Sequence, residues 1–223
     1  MEKKWIIRQS VDSTTIDSFR SELKVNPVVA ELLLQRGINT FEKAAHFFRP
    51  KLEDLHDPFL MKNLPEAVNR LEQGIIQQEK ILLFGDYDVD GTTAVALMYT
   101  FLSKHHSYLD YYIPDRYTEG YGLSKKGIDF AKENGFSLLI LLDCGIKSVE
   151  LIAYGKSLGL DFIVCDHHQP GEIIPDALVL DPKQAECNYP YKELCGCGVG
   201  FKLLQGLSIQ KGWRLADLYE LLD

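Results

Sequence analysis

Three aspartates stand at alternate positions in Gly85-Asp86-Tyr87-Asp88-Val89-Asp90-Gly91, another follows an apolar run at Asp143, and Asp166-His167-His168 follows a third run. In extended chain, alternate side chains share one face. Three ionised carboxylates side by side repel unless a positive charge sits among them, and a divalent cation is the simplest candidate. Gly91-Thr92-Thr93 then opens a helix whose first N–H groups could receive a phosphate. The segment also reads as an acidic turn with a helix cap. It is not an EF-hand loop: the twelfth position counted from Asp86 is Leu97, where calcium needs a glutamate. Asp143 comes directly after Leu138-Leu139-Ile140-Leu141-Leu142. A carboxylate at the tip of a buried strand is costly unless paired or metal-bound. It could instead cap the next helix, a role Ser148 could serve equally.

Adjacent histidines after a strand point different ways, so His167 and His168 can do different work. Neutral imidazole ligates manganese or zinc and can donate to a phosphate oxygen. A histidine pair alone is a common surface feature. His46, His56, His105 and His106 have no such setting and read as helix-face or loop residues. Carboxylates and imidazoles gathered after several strands of one sheet fit two divalent ions about 3.5–4 Å apart, which make hydroxide at neutral pH and stabilise in-line displacement at phosphorus.

The elements that must position these groups alternate. Lys80–Asp86, Leu109–Pro114, Ser137–Asp143, Leu160–Asp166 and Ala177–Leu180 read as strands. Thr92–Lys104, Ser124–Asn134, Ser148–Leu158, Val199–Ile209 and Trp213–Leu222 read as helices. This pattern predicts an α/β fold, a mostly parallel sheet with helices on both faces, whose ligands bind beyond the carboxyl ends of the strands. Residues 1–78 read as a helical N-terminal region, with helices after Asn26-Pro27, after Thr40 and over Pro65–Ile76, and residues 79–223 as the catalytic domain.

Composition narrows the function. The chain has 223 residues, a formal charge of −8 and a globular hydrophobic content of 46%. A module that grips nucleic acid by charge alone is usually basic; acidity is compatible with carboxylates that hold cations. The longest apolar run, Ser137–Leu142, is too short to span a bilayer, and the N-terminus lacks a signal-peptide core, so a cytoplasmic protein without membrane contact is expected. The five cysteines are expected reduced. Cys187, Cys195 and Cys197 lack the paired spacing of a zinc site and read as packing residues in a Gly-rich turn.

GDYDVDGTTA, LLDCGI and DHHQPG resemble motifs I, II and III of the DHH phosphoesterases. Asp86, where many relatives carry histidine, resembles the branch of exonucleases specific for single-stranded DNA. So do LLLQRGINTFEKAAHFFRPKLEDLHDPFLMKNLPEAVNRL, IPDRYTEGYGLS and LCGCGVGFKLLQ. The resemblance implies a DHH domain with Asp86, Asp88, Asp90, Asp143 and His167 as ligands to two Mn2+ or Mg2+ ions, Asp143 bridging them. It implies that His168 contacts the scissile phosphate or protonates the leaving oxygen, and that Asp143, Asp90 and His168 are the catalytic core. Arg116, His168, Gly91 and Thr92 would hold substrate phosphate, and Tyr117 and Tyr121 could stack on bases. Salt bridging for Arg116 and aromatic packing for the tyrosines are equal readings. The implied activity is 5′-to-3′ hydrolysis of single-stranded DNA in repair and recombination, with a single-strand-binding protein and a helicase as partners. A phosphatase for short oligonucleotides and a non-catalytic scaffold are the alternatives. A fourth-motif aspartate and a DHHA1 domain are expected beyond Asp223, which has no strand before it and is not assigned that role. On this reading the chain is an N-terminal fragment with weak or absent activity.

Overall fold

The computed structural model describes residues 4–6 and 10–222; Asp223 lies outside the described residues. The chain forms two compact units that divide between Leu55 and His56. The first holds α1 (Ser13–Leu23), α2 (Pro27–Leu34) and α3 (Phe41–Phe48). Each start is capped by a side chain that accepts an amide: Asp12 from Thr15, Asn26 from Val28, Thr40 from Lys43. Their contact face is a small core of Phe19, Ala30, Leu33 and Ala44.

The second unit holds α4 (Leu64–Ile76), β1 (Ile81–Gly85), α5 (Val89–Leu102), β2 (Leu109–Tyr112), α6 (Lys125–Glu133), β3 (Leu138–Leu142), α7 (Val149–Ser157), β4 (Asp161–Cys165), β5 (Leu178–Leu180), α8 (Gly196–Lys211) and α9 (Leu215–Tyr219). All strand pairs are parallel, in the order β2-β1-β3-β4-β5. β1 and β3 are buried along their whole length, as continuous apolar runs in a sheet covered on both faces must be. On one face Leu82, Phe84, Leu139, Leu141, Phe162 and Val164 pack with Ile128 and Ala131 of α6 and Ile152 of α7. On the other, α4, α5 and α8 pack together against the sheet. Each fully buried Leu, Ile or Phe contributes about 1.5–3 kcal/mol.

The strand order decides where a ligand can sit. From β1 the chain moves outward to β2, then returns past β1 to β3. The connections on β1 and β3 thus leave in opposite directions, which opens a crevice at the carboxyl ends of these two strands. Asp86 and Asp143 are the first residues beyond them.

The opposite rim carries the ion pairs. Arg70 of α4 donates through Nε to Asp161 at 2.5 Å and through Nη2 to Glu79 at 2.9 Å, and Ser137 Oγ donates to Glu79 at 2.5 Å. One guanidinium therefore ties α4 to the entries of β1 and β4. Arg70→Met should leave Glu79 short of a partner and cost about 2 kcal/mol. Urea unfolding should show a lower midpoint with an unchanged slope.

Candidate metal centre

Four carboxylates follow four parallel strands: Asp86 after β1, Asp143 after β3, Asp166 after β4 and Asp181 after β5. All four are buried. Asp86, Asp143 and Asp181 each keep one buried oxygen with no hydrogen-bond partner among the described residues. Asp143 has a left-handed backbone, φ 61°, which is uncommon outside glycine and clusters at functional turns. Its amide still donates to Cys165 O at 2.9 Å, so the strand ladder runs to the residue whose carboxylate turns into the crevice.

His167 meets that carboxylate. Its Nε2 lies 3.1 Å from Asp143 Oδ1 and 3.5 Å from Asp90 Oδ2. His168 is held differently: its Nδ1 lies 2.7 Å from Asp166 Oδ1. Asp166 Oδ1 also accepts from the amides of His167, at 2.7 Å, and His168, at 3.2 Å, and Oδ2 accepts from the Ile146 amide at 2.9 Å. Asp166 is therefore a buried anchor for the His168 imidazole and for the backbone of both histidines. A proton on His168 Nδ1, directed at Asp166, leaves Nε2 as the other functional nitrogen, and such a carboxylate fixes both tautomer and ring plane.

Asp90 sits in the first turn of α5. Its two oxygens accept from the Gly196 and Cys197 amides, each at 2.7 Å, at the start of α8. The positive end of one helix thereby fixes a carboxylate carried by another. Gly196 is required: a Cβ there would lie 2.5 Å from Asp143 Oδ1. Cys195 caps α8 by accepting from the Gly198 amide at 3.3 Å, while Cys187 is a buried free thiol.

Two sequence expectations need correction. Asp86, Asp88 and Asp90 do not share the face of an extended segment. Asp88 accepts the Gly91 amide at 3.0 Å and caps α5, so the helix begins at Val89, and Asp90 lies inside it. Capping removes an unsatisfied helix donor, and that gain exceeds any preference for extending the strand. For the same reason the Gly91 and Thr92 amides are not free for phosphate. The first bonds Asp88 Oδ1 and the second bonds Asp88 O at 2.9 Å, where Thr92 Oγ1 also donates at 2.6 Å. Gly91 is needed for contact instead, since a Cβ would stand 2.6 Å from Asp86 N and O.

Arg116 is exposed, and among the described residues no acid pairs with it. Its guanidinium lies 5.3 Å from the Tyr87 ring centre. Tyr87 meets Tyr121 edge-on at 5.7 Å, and Tyr121 meets His168 at 6.2 Å. Arg116 thus stands at the outer end of an aromatic chain that leads to the centre, away from the carboxylates themselves. Tyr117 is fully exposed. The anchoring by Asp166, the buried Asp181 and the amides of Gly196 and Cys197 went unread in the sequence. Asp181 carried a usable signal, because it follows Leu178-Val179-Leu180 as Asp143 follows its own apolar run.

The crowding is visible in proton affinity. Burial, then the charges of Asp90, Asp88 and Asp166, push the Asp143 carboxyl up to about 8. Burial and then Asp88 raise Asp86, opposed by the Tyr87 amide. Asp181 is pushed up to about 6, by burial and then Asp166, against its bond to Lys183 N. Asp143, His167 and His168 present ligand atoms within 4.8 Å of one another. A carboxylate and the His167 imidazole suit a first-row divalent ion, with His168 beside them, and the bare oxygens of Asp143 and Asp86 are what such an ion would satisfy.

The family model described as "DHH family, N-terminal domain" matches residues 80–222. The chain belongs to the DHH family. This DHH chain is 45% identical, over 96% of its length, to the single-stranded-DNA-specific exonuclease RecJ of Bacillus subtilis (strain 168), and 32% identical over 97% to that of Escherichia coli (strain K12). It spans 27% and 38% of the length of these curated relatives. Among solved structures it is similar to exonuclease RecJ bound to manganese, with a TM-score of 0.65 and 33% identity over 71% of this chain and 41% of that one. It is also similar to RecJ from Thermus thermophilus in complex with Mn2+, with a TM-score of 0.71 and 27% identity over 94% of this chain and 30% of that one.

Two outcomes follow for this DHH centre. Gly196→Ala should push Asp143 and α8 apart, weaken Mn2+ binding at least tenfold by isothermal titration calorimetry, and lower thermal stability. Without metal, stability should also depend on pH. Asp143 has a folded pKa above its unfolded one, so it favours folding below about pH 4, and that contribution is lost as pH rises through about 8. Denaturant midpoints measured in chelator across this window should fall, and fall less in Asp143→Asn.

Proposed function

We propose that this chain carries the metal-binding centre of a hydrolase that removes nucleotides from the 5′ end of single-stranded DNA. The observation that carries the reading is the bare, buried Asp143 oxygen beside His167 Nε2 at the mouth of the β1–β3 crevice. The names of the relatives supply the substrate class. Two divalent ions, manganese or magnesium, would be held by Asp86, Asp88, Asp90, Asp143 and His167. When bound, they lower the pKa of water and neutralise charge at phosphorus.

The chain's own residues divide the remaining work. Asp166 holds His168 in one orientation, ready to contact the scissile phosphate or to protonate the departing oxygen. The amides of Gly196 and Cys197 keep Asp90 from rotating. Arg116, with Tyr87 beneath it, offers charge to a phosphate, while Tyr117 and Tyr121 offer ring faces to bases. A place in DNA repair and recombination, a cytoplasmic address, and contacts with a single-strand-binding protein and a helicase belong to the same proposal. Among the described residues no helix is long and apolar enough to cross a membrane.

Mn2+ should raise the stability of the chain by about 2.7 kcal/mol at a hundred times Kd. Asp143→Asn should lose that gain and, in the longer natural protein, lose release of mononucleotides from a single-stranded oligodeoxynucleotide. No stabilisation by Mn2+ would overturn the metal centre. Turnover of dinucleotides but not of long strands would move the reading to a phosphatase for short oligonucleotides. Metal binding without any turnover would move it to a scaffold.

A further inference from the structure

Beside His168, between the segments that follow β3 and β4, lies a cavity of about 290 Å³. It is bounded by Tyr121, Gly122, the segment from Cys144 to Ser148, Asp166 and His168. Nothing in the proposed mechanism uses its outer wall, Lys147 and Ser148. Lys147 is exposed, and among the described residues no acid lies within ion-pairing distance of it, although the chain has a formal charge of −8. Ser148 occupies the N-cap position of α7, yet its side chain caps no amide. A lysine and a hydroxyl without internal partners thus border a recess that opens onto an imidazole of the metal centre.

The local fold keeps this wall in place. Gly145 has φ +110°, and a Cβ there would lie 2.7 Å from Leu141 Cδ1. The Ile146 amide is tied to Asp166 Oδ2, the Ser148 amide to Gly145 O, and Ile146 is buried. Lys147 therefore projects from a short turn fixed on both sides, on the same carboxylate that orients His168.

We infer that this cavity is a second phosphate subsite, in which Lys147 and Ser148 bind the phosphodiester next to the one at the metal centre. The inference rests on the proposed function and extends it to the path of the strand. Tyr121 lines the cavity together with Lys147 and His168, and through Tyr87 it leads on to Arg116. A polyanion laid across the carboxylate cluster meets repulsion wherever ions do not cover it. A cation in the cavity wall offsets that repulsion for the phosphodiester beside the centre. Lysine acts on phosphate as a point charge and tolerates several strand geometries, which suits a site that advances along a chain.

The test is equilibrium binding of a fluorescent 5′-phosphorylated oligothymidylate with phosphorothioate linkages, in Mn2+, followed by anisotropy at several salt concentrations. Each phosphate contact contributes about 0.7 to the slope of log K against log salt for single strands. Lys147→Ala should weaken binding by roughly tenfold at low salt and reduce the slope by about 0.7. Lys147→Arg should keep the slope. Lys104→Ala, the same charge change at the far end of α5, should also leave it as in the wild type. The thermal gain from Mn2+ should be equal in all four proteins. An unchanged slope and affinity in Lys147→Ala overturn the subsite, as does an equal loss in Lys104→Ala, which would mean general charge attraction. Absence of the Mn2+ gain in the wild type overturns the metal centre instead, so the two failures are distinct.

Discussion

The fold is organised around a repulsion. Asp86, Asp143, Asp166 and Asp181 are buried at one rim of a five-stranded sheet, with Asp88 and Asp90 close by. Burial and mutual charge both oppose ionisation, and they lift Asp143 to about 8. Only some of these oxygens are satisfied by the protein. Asp166 is, with four donors on its two oxygens, and it serves as scaffolding. Asp143, Asp86 and Asp181 each keep one oxygen without a partner among the described residues, and Asp143 and Asp86 stand at the crevice. A site that leaves selected carboxylates bare while saturating their neighbour is built for positive charge.

Position follows from topology and from two helix starts. The reversal of strand order between β1 and β3 opens the crevice, and parallel pairing places the strand tips level. The first turn of α5 brings in Asp90, and the first turn of α8 holds it by two amides. Gly196 allows that approach because no side chain stands between α8 and Asp143. The stabilising ion network of Arg70, Glu79 and Asp161 lies at the far rim, so stability is gained where it does not disturb the acidic cluster. Such separation is expected when a functional cluster carries strain that the rest of the structure must offset.

Much of this was legible in the chain. Apolar runs ending in Asp86, Asp143 and Asp166 marked the strand tips, and the alternation of strands and helices implied a parallel sheet. The sequence pattern starts this helix at Thr92 and the structure at Val89, because the periodic apolar signal of α5 begins only near Ala94, while its start is set by the Asp88 side-chain cap. α1 leaves little periodic signal, because its sequence, Ser13–Leu23, has few apolar residues and a single buried one, Phe19. The pairing of Asp90 with Gly196 and Cys197 spans more than a hundred residues. No local pattern encodes a contact of that range, which depends on how α5 and α8 pack. Asp181 follows only three strand residues, too short a run to stand out.

The most direct measurement is anomalous X-ray scattering at the manganese edge from crystals of the chain grown with Mn2+. A peak is expected at coordination distance from both Asp143 and His167 Nε2, with a second peak nearby reached by Asp86 or Asp88. Manganese found only on exposed acidic side chains, with the Asp143 oxygen still bare, would contradict it.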